Sequence, residues 1–237
     1  MDEGGTLYLL PNTIWPGTQA LFITEVHREV VRNAKAICAE NPARAAAFLK
    51  SVAPDWNPSH CTWYDLRVED ARGFQEFLTE VERKGTGILL SDSGLPCIAD
   101  PGAAVVRMAH QRKIHVHPLP GPSSLMLALA ASGLNGQKFR FHGYPPREMP
   151  ALQQHINQLN QWLLENPKET HIYIEAPQRN ATLFKAFVNH LSPSLMLCIA
   201  SGLMGPEEYV ATRSTAQWKK EGPPPLAKNP CVFLAGS

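Results

Sequence analysis

An excess of charge of either sign is missing from this 237-residue chain: 22 Lys and Arg stand against 21 Asp and Glu, a formal net charge of +1. No whole-molecule field therefore draws in nucleic acid or an anionic membrane, and any contact with RNA has to be local. Long apolar runs are missing too. None approaches the roughly 20 residues of a membrane span, and the opening "MDEGGTLYLL" is acidic where a secretory signal would be basic. A cytoplasmic protein that does not enter a membrane is the expectation. Paired cysteines are absent: Cys38, Cys61, Cys97, Cys198 and Cys231 stand singly, with no C-x-x-C, which suits a reducing compartment and packing roles.

Several motifs of catalysis are absent as well. There is no G-x-G-x-x-G after the first apolar run and no G-K-[ST], which removes support for a Rossmann dinucleotide or P-loop site. Glu40 closes the second apolar run, where a Rossmann protein holds a ribose, but the loop after the first run reads "LLPNTIWPG" rather than a glycine fingerprint. "DSG" is not the G-x-S-x-G of a serine nucleophile. His115 and His117 share a strand face and His60 adjoins Cys61, yet no third or fourth ligand is at zinc spacing, so no metal is expected. The five tryptophans are dispersed and form no base-stacking platform among arginines, which makes packing their expected role.

A hydrophobic content of 44% is ample for a core, and its pattern is α/β. "TLYLL", "KAICAE", "TGILLS" and "IHVHPL" are short apolar runs separated by helical spacing over 18–33, 42–52, 70–84 and 101–112. Asp100 before Pro101 reads as a helix N-cap followed by an N1 proline, and "PGPSSLMLALAASGL" (120–134) as a further helix entered through a Gly-Pro turn. After "GLNGQK" the pattern restarts, which puts a domain boundary at 134/135. "FRFHGY" and "THIYIEA" flank a helix near 150–164, and a second helix follows over 179–190. "LMLCIAS", "EYVATR" and "PCVFLAG" come so close together that the second sheet should be mixed. "EGPPPLAKNP" (221–230) reads as a proline-stiffened surface loop.

The stretch "LLSDSGLPCIADPG" (89–102) lies where a strand's carboxyl end meets a helix, the edge at which open α/β sheets bind ligands. Gly94 and Gly102 let the backbone approach a ligand, Pro96 and Pro101 stiffen the turn, and Asp92 supplies a carboxylate acceptor. A tight connector whose Asp and Ser cap turns is the plain structural alternative. "LPGPSS" offers the hydroxyls and amides of Ser123 and Ser124 at a helix N-terminus, which suits an anionic group or simple capping.

Together, "SDSGLPCIADPG" and "PLPGPSSLMLALAASGL" resemble the tetrapyrrole-methylase superfamily, and within it the small-subunit ribosomal RNA ribose 2'-O-methyltransferase branch, whose text runs S-D-A-G-T-P-x-I-x-D-P-G and P-L-P-G-P-x-A. Weaker resemblance extends from "GTLYLLP" through "FRFHGYPP" and "IYIEAPQR" to "PCVFLAG". The resemblance implies a two-domain α/β homodimer, residues 1–134 and 135–237, that binds S-adenosylmethionine in the cleft between the domains and methylates RNA. It implies that Asp92, Ser93, Gly94, Leu95 and Ile98 line the methionine and sulfonium end, with Pro11 on the first loop. Ser123 and Ser124 then lie near the carboxylate, and Ala176, Ala200 and Gly202 contribute from the second domain. Glu40 and Glu175, with Asp92, are the matched candidates for a base.

Departures from the branch bear on the acceptor. P-T-P-I-G-N-L is here "PNTIWPG", E-D-T-R is "ENPAR" with Asn41 and Pro42, and R-E-L-x-K is "SGLM" (201–204). Tetrapyrrole C-methylation and S-adenosylmethionine binding without catalysis therefore stand beside RNA methylation. An RNA enzyme would carry a basic rim to which Arg28, Arg32, Arg44 and Arg179 contribute.

Overall fold

The computed structural model describes residues 5–68, 70–224, 226 and 229–237, with Lys84 described by its backbone alone. The chain divides into two compact units, 1–123 and 124–237. The division falls before the helix of 124–132, whereas the sequence pattern draws it after that helix, at 134/135.

The first unit is a five-stranded, all-parallel sheet. Its strands are β1 (Thr6–Leu9), β2 (Ala36–Ala39), β3 (Thr62–Asp65), β4 (Thr86–Leu90) and β5 (His115–Pro118), in the order β3-β2-β4-β1-β5. The central strands are buried on both faces, which is why they read as continuous apolar runs. Ile37, Ala39, Ile88 and Leu90 pack on one face against α1 (Glu25–Asn33) and α2 (Pro42–Val52). Ala36, Cys38 and Leu89 pack on the other against α3 (Ala71–Lys84) and α4 (Ala103–Gln111).

Local chemistry sets the helix ends. Asp70 accepts the amides of Arg72 and Gly73 at 2.8 and 3.1 Å and starts α3, while Asn41 accepts the Arg44 amide at 3.2 Å and Pro42 opens α2. The α4 start differs from expectation. Asp100 and Pro101 stay in the loop and Gly102, at φ 126°, is the N-cap, because Cys97 (φ 69°) and Ala99 (φ 63°) turn the chain left-handed just upstream. β3 is a strand the apolar pattern did not reveal; it is a partly buried edge strand paired only with β2.

The second unit begins with α5 (Ser124–Ser132) and holds the mixed sheet β6-β7-β10-β8-β9. These strands are β6 (Phe139–Phe141), β7 (Thr170–Glu175), β8 (Met196–Ser201), β9 (Tyr209–Ser214) and β10 (Cys231–Gly236); only β6 and β7 pair in parallel. One face packs on α6 (Met149–Glu165), α7 (Asn180–His190) and α8 (Thr215–Glu221) through Tyr173, Phe187, Trp218 and Phe233. The other face packs on α5 through Leu125, Ala128 and Leu129. The alternation of β7, β8 and β10 divides their residues between these two clusters. Within 221–230, Pro225, Ala227 and Lys228 lie outside the described residues; Leu226 and Asn229 are buried rather than at the surface. No described helix is long and apolar enough to cross a membrane, and no group of three or more metal-ligating side chains forms among the described residues.

Candidate functional site

In the first unit the parallel ladder continues one step past the strands' carboxyl ends. Leu10 donates to the Leu89 carbonyl at 3.0 Å, Glu40 to Leu90 at 3.2 Å and Leu119 to Leu9 at 3.0 Å. From this edge the loops after β1, β2, β4 and β5 leave side by side. Although 89–102 and 118–124 are separate in sequence, strand order sets both beside β1, and they touch. A β-carbon built on Gly94 would lie 3.4 Å from the Pro122 carbonyl oxygen and 3.9 Å from Ile14, and one on Gly121 would lie 2.1 Å from Pro11. Gly121 thus permits a backbone approach that any side chain would block, while Gly94, at φ 66°, holds a left-handed conformation that a side chain would strain.

The loop 91–95 is held by polar groups from its neighbours. Asn12, which is 6% exposed, donates from Nδ2 to the carbonyls of Ser91 (3.0 Å) and Asp92 (3.1 Å), and its backbone N–H donates to Gly94 (2.8 Å). The Asp92 amide donates to Glu40 Oε2 at 3.1 Å, and the half-buried Asp92 carboxylate accepts from exposed Arg44 at 3.0 Å. Ser93 and Ile98 face solvent, Leu95 is partly buried, and Pro11, Gly94 and Ser123 are buried. Asp100 shares this edge: burial, then the charges of Glu40 and Asp92, push its carboxyl up to about 6 against an opposing hydrogen bond from Ser91. Burial, with Asp100 adding to it, also pushes the Cys97 thiol up to about 11, so this cysteine is a packed thiol.

The second unit brings its own matched residues to one end of its sheet. Glu175 on β7 and Ser201 on β8 both pair with Cys231 of β10, so Ala176, Ala200 and Gly202 flank that rung. Glu175 is buried and engaged on both oxygens, accepting the Ala176 amide at 2.9 Å and Arg179 Nε at 2.8 Å. Arg179 also reaches the carbonyls of Pro146 and Arg147, both at 3.3 Å. Gly202 sits at φ 59°, where a β-carbon would come within 2.9 Å of Asn229 Nδ2. Ser124, partly buried, is the first residue of α5.

Two residues of the first-unit edge escaped sequence reasoning. Asn12 gave no signal, because its partners lie some 80 positions away. Asp100 has the sequence context of a helix cap, although as a second aspartate within one glycine-proline loop it also carries a mark of the site. The candidate rim is fully paired: Arg28 and Arg32 with Glu25, Arg32 also with Asp55, Arg44 with Asp92 and Arg179 with Glu175.

No protein-family model matches the chain. Ribosomal RNA small subunit methyltransferase I of Micromonospora olivasterospora is 32% identical over 182 residues, 75% of this chain and 54% of that protein. The Mycobacterium tuberculosis H37Rv protein of the same name is 30% identical over 183 residues, 76% of this chain and 61% of its own length. The chain thus spans about half to three fifths of these two relatives. The Hydrogenobaculum protein of that name is 25% identical over 86% of this chain and 84% of its own. Among solved structures, the methyltransferase CobJ aligns at TM-score 0.60 and 16% identity over 99% of this chain and 94% of that one. A conserved hypothetical protein of Aeropyrum pernix K1 aligns at TM-score 0.66 and 14% identity over 98% and 85%. The likeness in sequence to the first group, the shared fold of the second and the two motifs meeting at one sheet edge lead to one conclusion: the chain belongs to the tetrapyrrole-methylase superfamily, as a divergent member related to its small-subunit ribosomal RNA methyltransferase branch.

Proposed function

We propose that the chain is an S-adenosylmethionine-dependent methyltransferase whose acceptor is ribosomal RNA. The observation that carries the reading is the meeting of the 91–95 loop with 121–123 at the carboxyl edge of the first sheet, in a chain whose curated relatives are named as ribosomal RNA small subunit methyltransferases.

The residues at that edge fit such a cofactor chemically. A sulfonium is a cation, and the edge offers the Asp92 carboxylate with Glu40 and Asp100 nearby. A carboxylate is an anion, and the start of α5, with the Ser123 and Ser124 hydroxyls, favours negative charge. When bound, the cofactor supplies an electrophilic methyl group. The protein's part is to hold the donor rigidly, exclude water and set an acceptor hydroxyl in line with it, so that positioning carries much of the rate. Asp92, Ser93, Gly94, Leu95 and Ile98 are assigned to the methionine end with Pro11 beside them.

For a ribose hydroxyl a carboxylate base is wanted. Glu40, which also anchors the Asp92 amide, is the candidate of the first unit and Glu175 that of the second. Because Arg179 and the Ala176 amide occupy Glu175, its role in this reading is to hold Arg179 and the 175–179 turn in place until an acceptor displaces the pair. A homodimer in the cytoplasm completes the proposal. The "SGLM" stretch, where Gly202 (φ 59°) and Met204 (φ 64°) are left-handed and the branch has charged residues, favours a second reading, cofactor binding without turnover.

Calorimetry with S-adenosylmethionine tests both readings, and absence of binding at high micromolar ligand would sink them together. Transfer of labelled methyl groups to small ribosomal subunits from cells lacking the usual ribose methylase then separates them. Label in the RNA supports the enzyme; binding without label on RNA or tetrapyrrole supports cofactor binding without turnover.

A further inference from the structure

We propose that Asn12 is the positioning residue of the cofactor loop, its side-chain amide and backbone N–H fixing the conformation in which residues 91–95 receive S-adenosylmethionine; the inference rests on the cofactor reading above. The loop needs such a clamp. Gly94, Cys97, Ala99 and Gly102 all have positive φ, and two of them, Cys97 (φ 69°) and Ala99 (φ 63°), carry a β-carbon. Conformations of this kind persist only where the surroundings over-determine them.

Asn12 supplies three of the constraints, holding the carbonyls of Ser91, Asp92 and Gly94 at 3.0, 3.1 and 2.8 Å from a single buried position. The side chain is itself oriented, because Oδ1 accepts the Thr13 amide at 2.7 Å and so directs both Nδ2 hydrogens to the loop. Only a primary amide fits this pattern: it donates twice and accepts once, whereas a carboxylate would confront two carbonyls and a hydroxyl has one proton to give. The carbonyls of Ser91 and Asp92 are thereby turned toward β1, and the Asp92 side chain is left to face Arg44. The related branch has threonine here in P-T-P-I-G-N-L, so the clamp belongs to this chain's altered first loop.

Asn12→Ala, Asn12→Asp and Asn12→Thr test the inference, with Asn160→Ala as a structural control. Asn160 makes a comparable clamp on His190 and Ser192 in the second unit. Asn12→Ala and Asn12→Asp are expected to weaken S-adenosylmethionine binding by about tenfold or more, the loss of two hydrogen bonds. Asn12→Thr, keeping one donor, should recover only part of the affinity, and Asn160→Ala should lower Tm while leaving affinity unchanged. Hydrogen exchange at Asp92–Leu95, measured without ligand, should quicken in Asn12→Ala and Asn12→Asp and stay unchanged in Asn160→Ala. Affinity that follows Tm across all four variants, or unchanged exchange in Asn12→Ala, would overturn the proposal. If the wild type does not bind the cofactor, the cofactor reading fails and the cofactor half of this proposal with it. Exchange then decides by itself whether Asn12 shapes the loop.

Discussion

At Gly94 a side chain would have to adopt φ 66° with its β-carbon 3.4 Å from the Pro122 carbonyl oxygen. Gly94→Val is therefore expected to cost affinity for S-adenosylmethionine by about tenfold or more, since a left-handed β-branched residue is strained by about 1–2 kcal/mol before any ligand arrives. Undiminished affinity in a titration of that variant would move the cofactor away from this loop. Asp100 gives a prediction of the opposite kind. Its carboxyl holds a proton up to about 6, against an ordinary value of 3.8, because it is buried beside Glu40 and Asp92. The folded state binds the extra proton, so the stability from this group is full below about 3.8 and is lost as pH rises through 6. Asp100→Asn should then raise Tm by about 2 °C or more at pH 7.5, and the gap should close near pH 4. A variant less stable than wild type at pH 7.5 would show that the carboxylate is held by favourable contacts instead. The glycine and aspartate types were legible in the sequence; the crowding that shifts their behaviour was not, because it comes from β1, β2 and the 121–123 turn.

Among the elements, α6 is fastened to the edge of the second sheet by an unusual group. His142 follows β6, His171 and Tyr173 lie on β7, and His155 and Trp162 lie on α6. His142 stacks on Tyr173 at 4.7 Å and His171 at 5.0 Å, with ring planes within 16° of parallel. One hydrogen bond of 2.8 Å joins His142 Nε2 to His171 Nδ1, another of 3.1 Å joins His155 to the Tyr173 hydroxyl, and His171 Nε2 is buried without a partner. Burial first, then neighbouring positive groups including Arg140, push His142 and His171 down to about 4, although Glu169 opposes this at His171; burial lowers His155 too. Sequence reasoning passed over these histidines because they are spread over three elements. The sign follows from neutral imidazoles in the fold. Their contribution is full above about 6.5 and is lost as pH falls toward 4. His171→Phe keeps a ring against Trp162 and removes the orphaned nitrogen, so its Tm should fall less between pH 7 and pH 5 than that of the wild type. An equal or steeper fall would assign acid sensitivity to other groups.

On the scale of the whole molecule, Asp100 in the first unit and the histidines of the second contribute to stability in opposite senses as pH falls. Hydrogen exchange at pH 5, corrected for intrinsic rates, should show protection lost over β6, β7 and α6 before β1 and β4; a uniform loss would mean that the units unfold as one. Net charge of +1 and a set of ion-paired arginines leave no bulk field for RNA. In the proposed reading, acceptor recognition comes from local geometry. By itself the sequence determined the alternation of strands and helices, the parallel character of the first sheet, the mixed character of the second, the ends of α2 and α3 and the loop motifs at 91–102 and 120–124. These are written in nearest-neighbour terms: apolar period, capping residues, glycine and proline. Only the tertiary structure decided that the edge strand β3 exists, that α4 starts at Gly102 instead of Asp100, that Asn12 grips a loop some 80 positions away and that Glu175 is paired. Each depends on which strands lie side by side, and strand order is set by burial of both sheet faces across the whole chain rather than by any local stretch.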